Sequence, residues 1–230
     1  MRIMIAIFKK QLKDTLKNKT VLIQFIMFPI LTLIMNNAVK IEGMPDNFFV
    51  ELFAAMYIGM APLTSISAII SEEREKNTLR VLMMSNVKPH EYLLGIGCYV
   101  WTACMLGALV ICIAGNYGLK MSLLFMAVMA TGILTSLLIG AAIGLLSRTQ
   151  MMATSISVPV MMIFAFMPML SMFNDTIAKI AKFTYSVQIS NMLNRINALP
   201  FEADSIGIIA VNALLFIILF VIAYNKNHEF

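Results

Sequence analysis

Residues Leu52 to Ile70 read LFAAMYIGMAPLTSISAII, and the chain turns at once to Ser71-Glu72-Glu73-Arg74-Glu75-Lys76-Asn77-Thr78-Leu79-Arg80. A bilayer core of ~30 Å needs roughly 17–25 apolar residues in a helix, so the first of these segments is long enough for one span. Working outward, Val21–Ala38, Leu93–Ala114, Met121–Leu146, Met151–Phe173 and Ile206–Tyr224 have the same character. Of 230 residues, 60% are apolar and 13% charged, against about 45–50% and about 25% in soluble domains. The runs are continuous, whereas a membrane β-barrel would alternate apolar and polar residues over segments of about ten. The expected fold is an all-α membrane protein with six transmembrane helices.

The residues between these runs are too scattered to bury a soluble core, so residues 1–230 read as a single transmembrane domain. The first long apolar run starts only at Val21, and Asn36-Asn37-Ala38-Val39-Lys40 makes a poor cleavage site, so the first span reads as retained. With the N-terminus inside, the cytoplasmic side receives Arg2, Lys9, Lys10, Lys13, Lys17, Lys19, Arg74, Lys76, Arg80, Lys88, Arg148 and Lys226. The outside receives Lys40, Lys120, Lys179, Lys182 and Arg195. This positive-inside asymmetry places both termini in the cytoplasm. The net charge of +5 suits an anionic inner leaflet and requires no nucleic-acid partner.

Residues 1–19 form the head before the first span. On a helical wheel Met4, Ile5, Phe8, Leu12 and Leu16 share one arc, and Lys9, Lys10, Lys13 and Lys17 the next. This pattern describes a basic amphipathic helix in the membrane surface, serving as an anchor or also touching a cytoplasmic partner. The chain is expected to turn into the membrane around Asn18-Lys19-Thr20, with Thr20 as N-cap.

The apolar runs contain no Asp, Glu, Lys, Arg or His, and Glu51 lies at an outer edge. Ion-coupled transporters commonly keep such groups at depth. Both histidines, His90 and His228, fall in expected cytosolic segments, and no HExxH occurs, so neither a metal site nor intramembrane catalysis is expected. Cys98, Cys104 and Cys112 lack metal-ligand spacing and read as small packing residues. No GxxxxGK[ST] is present; if ATP drives this protein, another chain binds it. Gly140 and Gly144 form GxxxG, which permits close helix packing within the chain or in a dimer. Pro29, Pro62, Pro159 and Pro168 fall inside spans, where each removes a backbone donor.

Residues 71–92 are the one sizeable charged loop on the cytoplasmic side. Glu72 and Lys76 are spaced i, i+4 for pairing on a helical turn. Asn77 tolerates a positive φ and marks a break. A second short helix, capped by Thr78, would then present Leu79, Leu82 and Met83 on one face as a docking surface.

The run Glu-Arg-Glu-Lys-Asn-Thr-Leu-Arg-Val-Leu, with Ser85-Asn86-Val87 and Tyr92-Leu93-Leu94-Gly95 after it, resembles the E-x-E-x-G-T-L-E-x-L-x-x-[ST]-P-[VLI] segment of type-2 ABC exporter permeases. Asn77 replaces the usual Gly, Arg80 the usual Glu and Asn86 the usual Pro. The resemblance extends to the plan of the whole chain. It implies that residues 71–92 carry a cytoplasmic coupling helix that engages an ATPase, and that the head is a connecting helix using Phe8, Lys9, Lys13 and Lys17. Glu72, Glu73 and Glu75 would stabilise the loop and meet basic groups of the connecting helix or the ATPase. Thr78, Leu79, Leu82 and Met83 would seat against the ATPase. It further implies two ATPase subunits holding ATP and Mg, a second permease copy, identical or a sister, and a bacterial cytoplasmic membrane.

Residues 174–205 mix apolar and polar positions and are too polar to span. Their spacing suits two short helices dipping into the outer boundary, as the re-entrant outer helices of the family do, and an outer gate there is expected. The 21 methionines fill gaps in spans or, on the fifth span, line a path through Met161, Met162, Met167, Met169 and Met172 for greasy cargo. The expected function is the membrane subunit of an ATP-driven exporter of hydrophobic or amphipathic cargo, foremost peptides. In size and plan the chain is similar to small bacterial permeases that export amphipathic toxins such as phenol-soluble modulins or confer resistance to antimicrobial peptides. The alternatives are a drug or lipid exporter of the same family and a non-transporting membrane scaffold or sensor.

Overall fold

The computed structural model describes residues 2–39, 47–84, 87–196 and 201–226, and among them only helices occur as regular structure. In chain order these are α1 (Arg2–Lys17), α2 (Lys19–Ala38), α3 (Phe48–Glu75), α4 (Thr78–Met84), α5 (Pro89–Ala114), α6 (Leu119–Leu146), α7 (Gln150–Phe173), α8 (Asp175–Ala181), α9 (Tyr185–Asn194) and α10 (Ala203–Asn225). Six of them, α2, α3, α5, α6, α7 and α10, are long and apolar enough to cross a membrane.

The bundle is built around α3, which packs against α2, α5, α6, α7 and α9 and is buried over most of its length. The sequence explains this position. Without water to drive association, helices in lipid meet where small residues let backbones approach, and α3 carries Ala54, Ala55, Gly59, Ala61, Ser65 and Ser67, all buried. The partner surface is the GxxxG pair of α6. A Cβ on Gly140 would come within 2.5 Å of the Leu63 carbonyl oxygen, and one on Gly144 within 2.9 Å of Ile70 Cβ. The motif therefore packs α6 onto α3 inside the chain. By contrast α7 and α10 are mostly exposed, leaving apolar surface for lipid or another subunit.

Several boundaries differ from the sequence expectation. The break after the head falls at Asn18, and Thr20 lies inside α2 rather than capping it. The second span does not stop at Ile70. Its helix continues as α3 through Glu72, Glu73, Arg74 and Glu75, because these residues find partners on neighbouring elements, described below. Residues 174–205 contain two short helices as expected. Of these, α9 is tucked among α3, α6, α7 and α10, with Tyr185 fully buried and its hydroxyl 3.1 Å from Ser136 Oγ. Cys104 and Cys112 are buried and Cys98 is exposed; all three are free thiols.

Candidate functional site

The charged end of α3 is the most densely bonded polar region of the bundle. Glu73 is buried, and its carboxylate accepts from Lys10 Nζ at 2.6 Å and from the Gln11 side-chain amide. The Tyr92 hydroxyl, at the start of α5, faces the same carboxylate. Arg74, one position on, donates to the carbonyls of Leu145 and, at 3.1 Å, Ser147. Those are carbonyls at the C-terminal end of α6, where unmatched acceptors and the negative end of the helix dipole favour a cation. Glu75 accepts from the backbone N–H of Gln150 at 2.7 Å, the first residue of α7, where the positive end of a dipole favours an anion. Successive side chains of a helix point about 100° apart. Three consecutive charges thus fasten one helix end to α1, to α6 and to α7.

Beyond these ties the chain reverses. Asn77 takes φ 56°, the positive value its residue type tolerates where the family pattern has glycine. Glu72 and Lys76 form the expected i, i+4 ion pair on the exposed side, and the bond that the Lys76 ammonium donates to Glu72 raises its pKa above the ordinary lysine value. Thr78 is the first residue of α4 rather than its cap; its hydroxyl donates to the Glu73 carbonyl at 3.0 Å, tying α4 back to α3. Leu79 was expected on an outward face, but it is only 1% exposed and belongs to the apolar core. It anchors α4 instead. The side chains of Leu82 and Met83 lie outside the described residues. Among the described side chains of α4, Val81 and Met84 are the exposed apolar ones, at 61% and 81%.

Helix α1 meets this region with a different face from the one its wheel suggests. Ile7, Gln11 and Thr15 are buried against α5, and Phe8 is half-buried with its ring edge-on to Tyr99 at 5.4 Å. Ile5, Leu12 and Leu16 remain exposed, as do Lys9, Lys13 and Lys17. Thus α1 has three faces, one toward the bundle, one apolar and exposed, and one basic. Between α1 and the α3–α4 turn lies a polar cleft of about 500 Å3 walled by Lys10, Asp14, Lys17, Glu72 and Lys76.

Sequence reading singled out Glu73 and Glu75 but not Lys10, Gln11, Arg74 and Tyr92 as their structural companions. The signal available was a Glu-Arg-Glu run directly after a span, since charges there either face water or find helix ends. A polar seam in the bundle was also missed. Gln24 of α2 accepts from Ser65 at 3.1 Å and Thr64 at 3.3 Å, and Ser157 of α7 donates to Ser67 of α3 at 2.9 Å. Gln24, Thr64, Ser67 and Ser157 border a small cleft of about 110 Å3 reaching Met60 and Met161. The lone Gln of the first span was its visible trace.

Residues 4–225 match the model of a family described as ABC-2 family transporter protein. No curated protein matches the chain significantly.

Proposed function

Because this chain belongs to the ABC-2 family of transporter proteins and is the membrane subunit of an ABC transporter, we propose that it exports hydrophobic or amphipathic cargo, foremost peptides, with α4 as the element an ATPase moves. The observation that carries the reading is the triple tie of Glu73, Arg74 and Glu75 to α1, α6 and α7. A displacement of α4, anchored by Leu79 and by the Thr78 to Glu73 bond, reaches three helices through one helix end. Coupling of this kind needs a rigid connection with few loose joints.

In this reading two ATPase subunits hold ATP and Mg and dock on Val81 and Met84, with Lys9, Lys13 and Lys17 beside them. A second permease copy covers apolar surface left by the exposed helices. Both termini face the cytoplasm of a bacterial cell membrane, and α8 and α9 gate the outer side. Peptide cargo is favoured by the pairing of the adaptable Met60 and Met161 with the half-buried side-chain amide of Gln24 at the small cleft, which offers a partner to amide groups crossing an apolar region.

The test is ATP turnover of the chain co-purified with its ATPase, comparing wild type with Val81→Asp/Met84→Asp, with and without an amphipathic helical peptide. Loss of the complex or of peptide-stimulated turnover supports the reading. Unchanged assembly and turnover would point to a scaffold that does not transport.

A further inference from the structure

Tyr57, in the first half of α3, is fully buried, yet its hydroxyl has no hydrogen-bond partner among the described residues. The Cys104 thiol lies beside it, and sulfur accepts only weakly. A buried polar group left without a bond costs more than a satisfied one contributes, and a bundle in lipid has little water to supply the bond. Phenylalanine would fill the same space without that cost.

A second group nearby also lacks its ordinary partner. Pro29 lies inside α2 and has no N–H for the carbonyl four positions before it, that of Phe25. Among the described residues no side chain donates to this oxygen. Gly107 of α5 brings the two groups together. A Cβ there would collide with the Tyr57 hydroxyl and lie 3.3 Å from the Phe25 carbonyl oxygen. A donor and an acceptor, each unused, thus border the gap that the missing side chain leaves.

Two prolines separate what moves from what stays. The segment of α2 before Pro29 carries Phe25 and follows directly on α1, which Lys10 ties to Glu73 at the charged end of α3. Pro62 lies between that end and Tyr57, and it weakens the α3 ladder as Pro29 does that of α2. A displacement of the charged end therefore carries Phe25 along, while Tyr57 stays with the far half of α3. We propose that Tyr57 is a positioning residue of the transport cycle: as Phe25 crosses the Gly107 gap its carbonyl accepts from the Tyr57 hydroxyl, a bond absent in the state seen here and present in the other. This rests on the ATP-driven reading above, but not on the cargo or on the residues of α4 that the ATPase touches.

The chain co-purified with its ATPase is compared as wild type, Tyr57→Phe, Pro29→Ala and the double variant. Loss of an unpaired hydroxyl is expected to raise the Tm of Tyr57→Phe without nucleotide. Loss of the bond in the other state is expected to slow its ATP turnover about 5-fold, the worth of one hydrogen bond of ordinary strength. Pro29→Ala gives the Phe25 carbonyl a backbone donor, so in that background Tyr57→Phe is expected to slow turnover no further. A lower Tm for Tyr57→Phe overturns the proposal, as does unchanged turnover, or turnover losses that multiply in the double variant; each of these leaves the transporter reading intact. Absence of ATP turnover in the wild-type assembly overturns that reading and the proposal with it. Because Tyr57→Phe keeps the ring, its opposite shifts in Tm and turnover test the proposal even if Pro29→Ala fails to assemble.

Discussion

The Lys10 ammonium lies 2.6 Å from the Glu73 carboxylate, with side chains 39% and 8% exposed; they join the first helix of the chain to the end of its central one. Removing one partner of a hydrogen-bonded charge pair leaves the other poorly solvated, and here the half-open Lys10 moderates the cost. Lys10→Met is expected to destabilise by about 1–3 kcal/mol, and Glu73→Gln by less, since the amide still accepts from Gln11. The double variant should be less damaging than the sum of the two. A thermal-unfolding cycle in detergent measures the coupling, and strict additivity would show that the pair contributes nothing.

Leu79 and Val81 separate stability from docking on one short helix. Leu79→Ala opens a cavity in the core and is expected to cost about 2–5 kcal/mol. Val81→Ala removes an exposed side chain and should change stability by at most about 0.5 kcal/mol. The comparison is read from melting temperatures of the two purified variants. If Val81→Ala lowers Tm as much as Leu79→Ala, the outward surface of α4 is differently placed.

The six spans were legible because lipid demands long uncharged helices, and a run such as Leu52–Ile70 admits few other readings. The break at Asn77 and the Glu72–Lys76 pair were legible because both are local. What could not be read was the direction of each charge. Glu73, Arg74 and Glu75 are adjacent in sequence yet serve three different elements, and Arg74 finds carbonyls more than seventy positions away. Leu79 illustrates the same limit. A wheel shows that a helix has an apolar face, but whether that face meets a partner or the chain's own core depends on long-range packing.

Glu72–Lys76 should matter least of the charges around α4. Exposed i, i+4 pairs contribute about 0.3–0.5 kcal/mol, so Lys76→Gln is expected to leave Tm nearly unchanged. Glu72 raises the Lys76 pKa. The pair's contribution is therefore complete at neutral pH and is lost only as pH rises through the raised lysine range. A pH series of unfolding on wild type and Lys76→Gln should run parallel across the neutral range and converge at alkaline pH.

Two glycines test whether the α3–α6 contact holds the bundle together. At Gly140 a methyl group would lie 2.5 Å from the Leu63 carbonyl oxygen and 2.8 Å from Leu63 Cα, both backbone atoms that cannot move aside alone. Gly140→Ala must therefore separate α6 from α3 near the middle of α3, and overpacking of this kind costs about 1–3 kcal/mol. At Gly207, in the exposed first turns of α10, a Cβ meets nothing within 4 Å, and alanine should stabilise by about 0.4–1 kcal/mol through the unfolded chain. The two alanine variants are thus expected to shift Tm in opposite directions. Because Arg74 reaches the end of α6 from α3, Gly140→Ala should also weaken ATP turnover by the assembled transporter more than its loss of stability explains. Full turnover from a Gly140→Ala protein that remains folded would mean that the α3–α6 contact does not transmit motion.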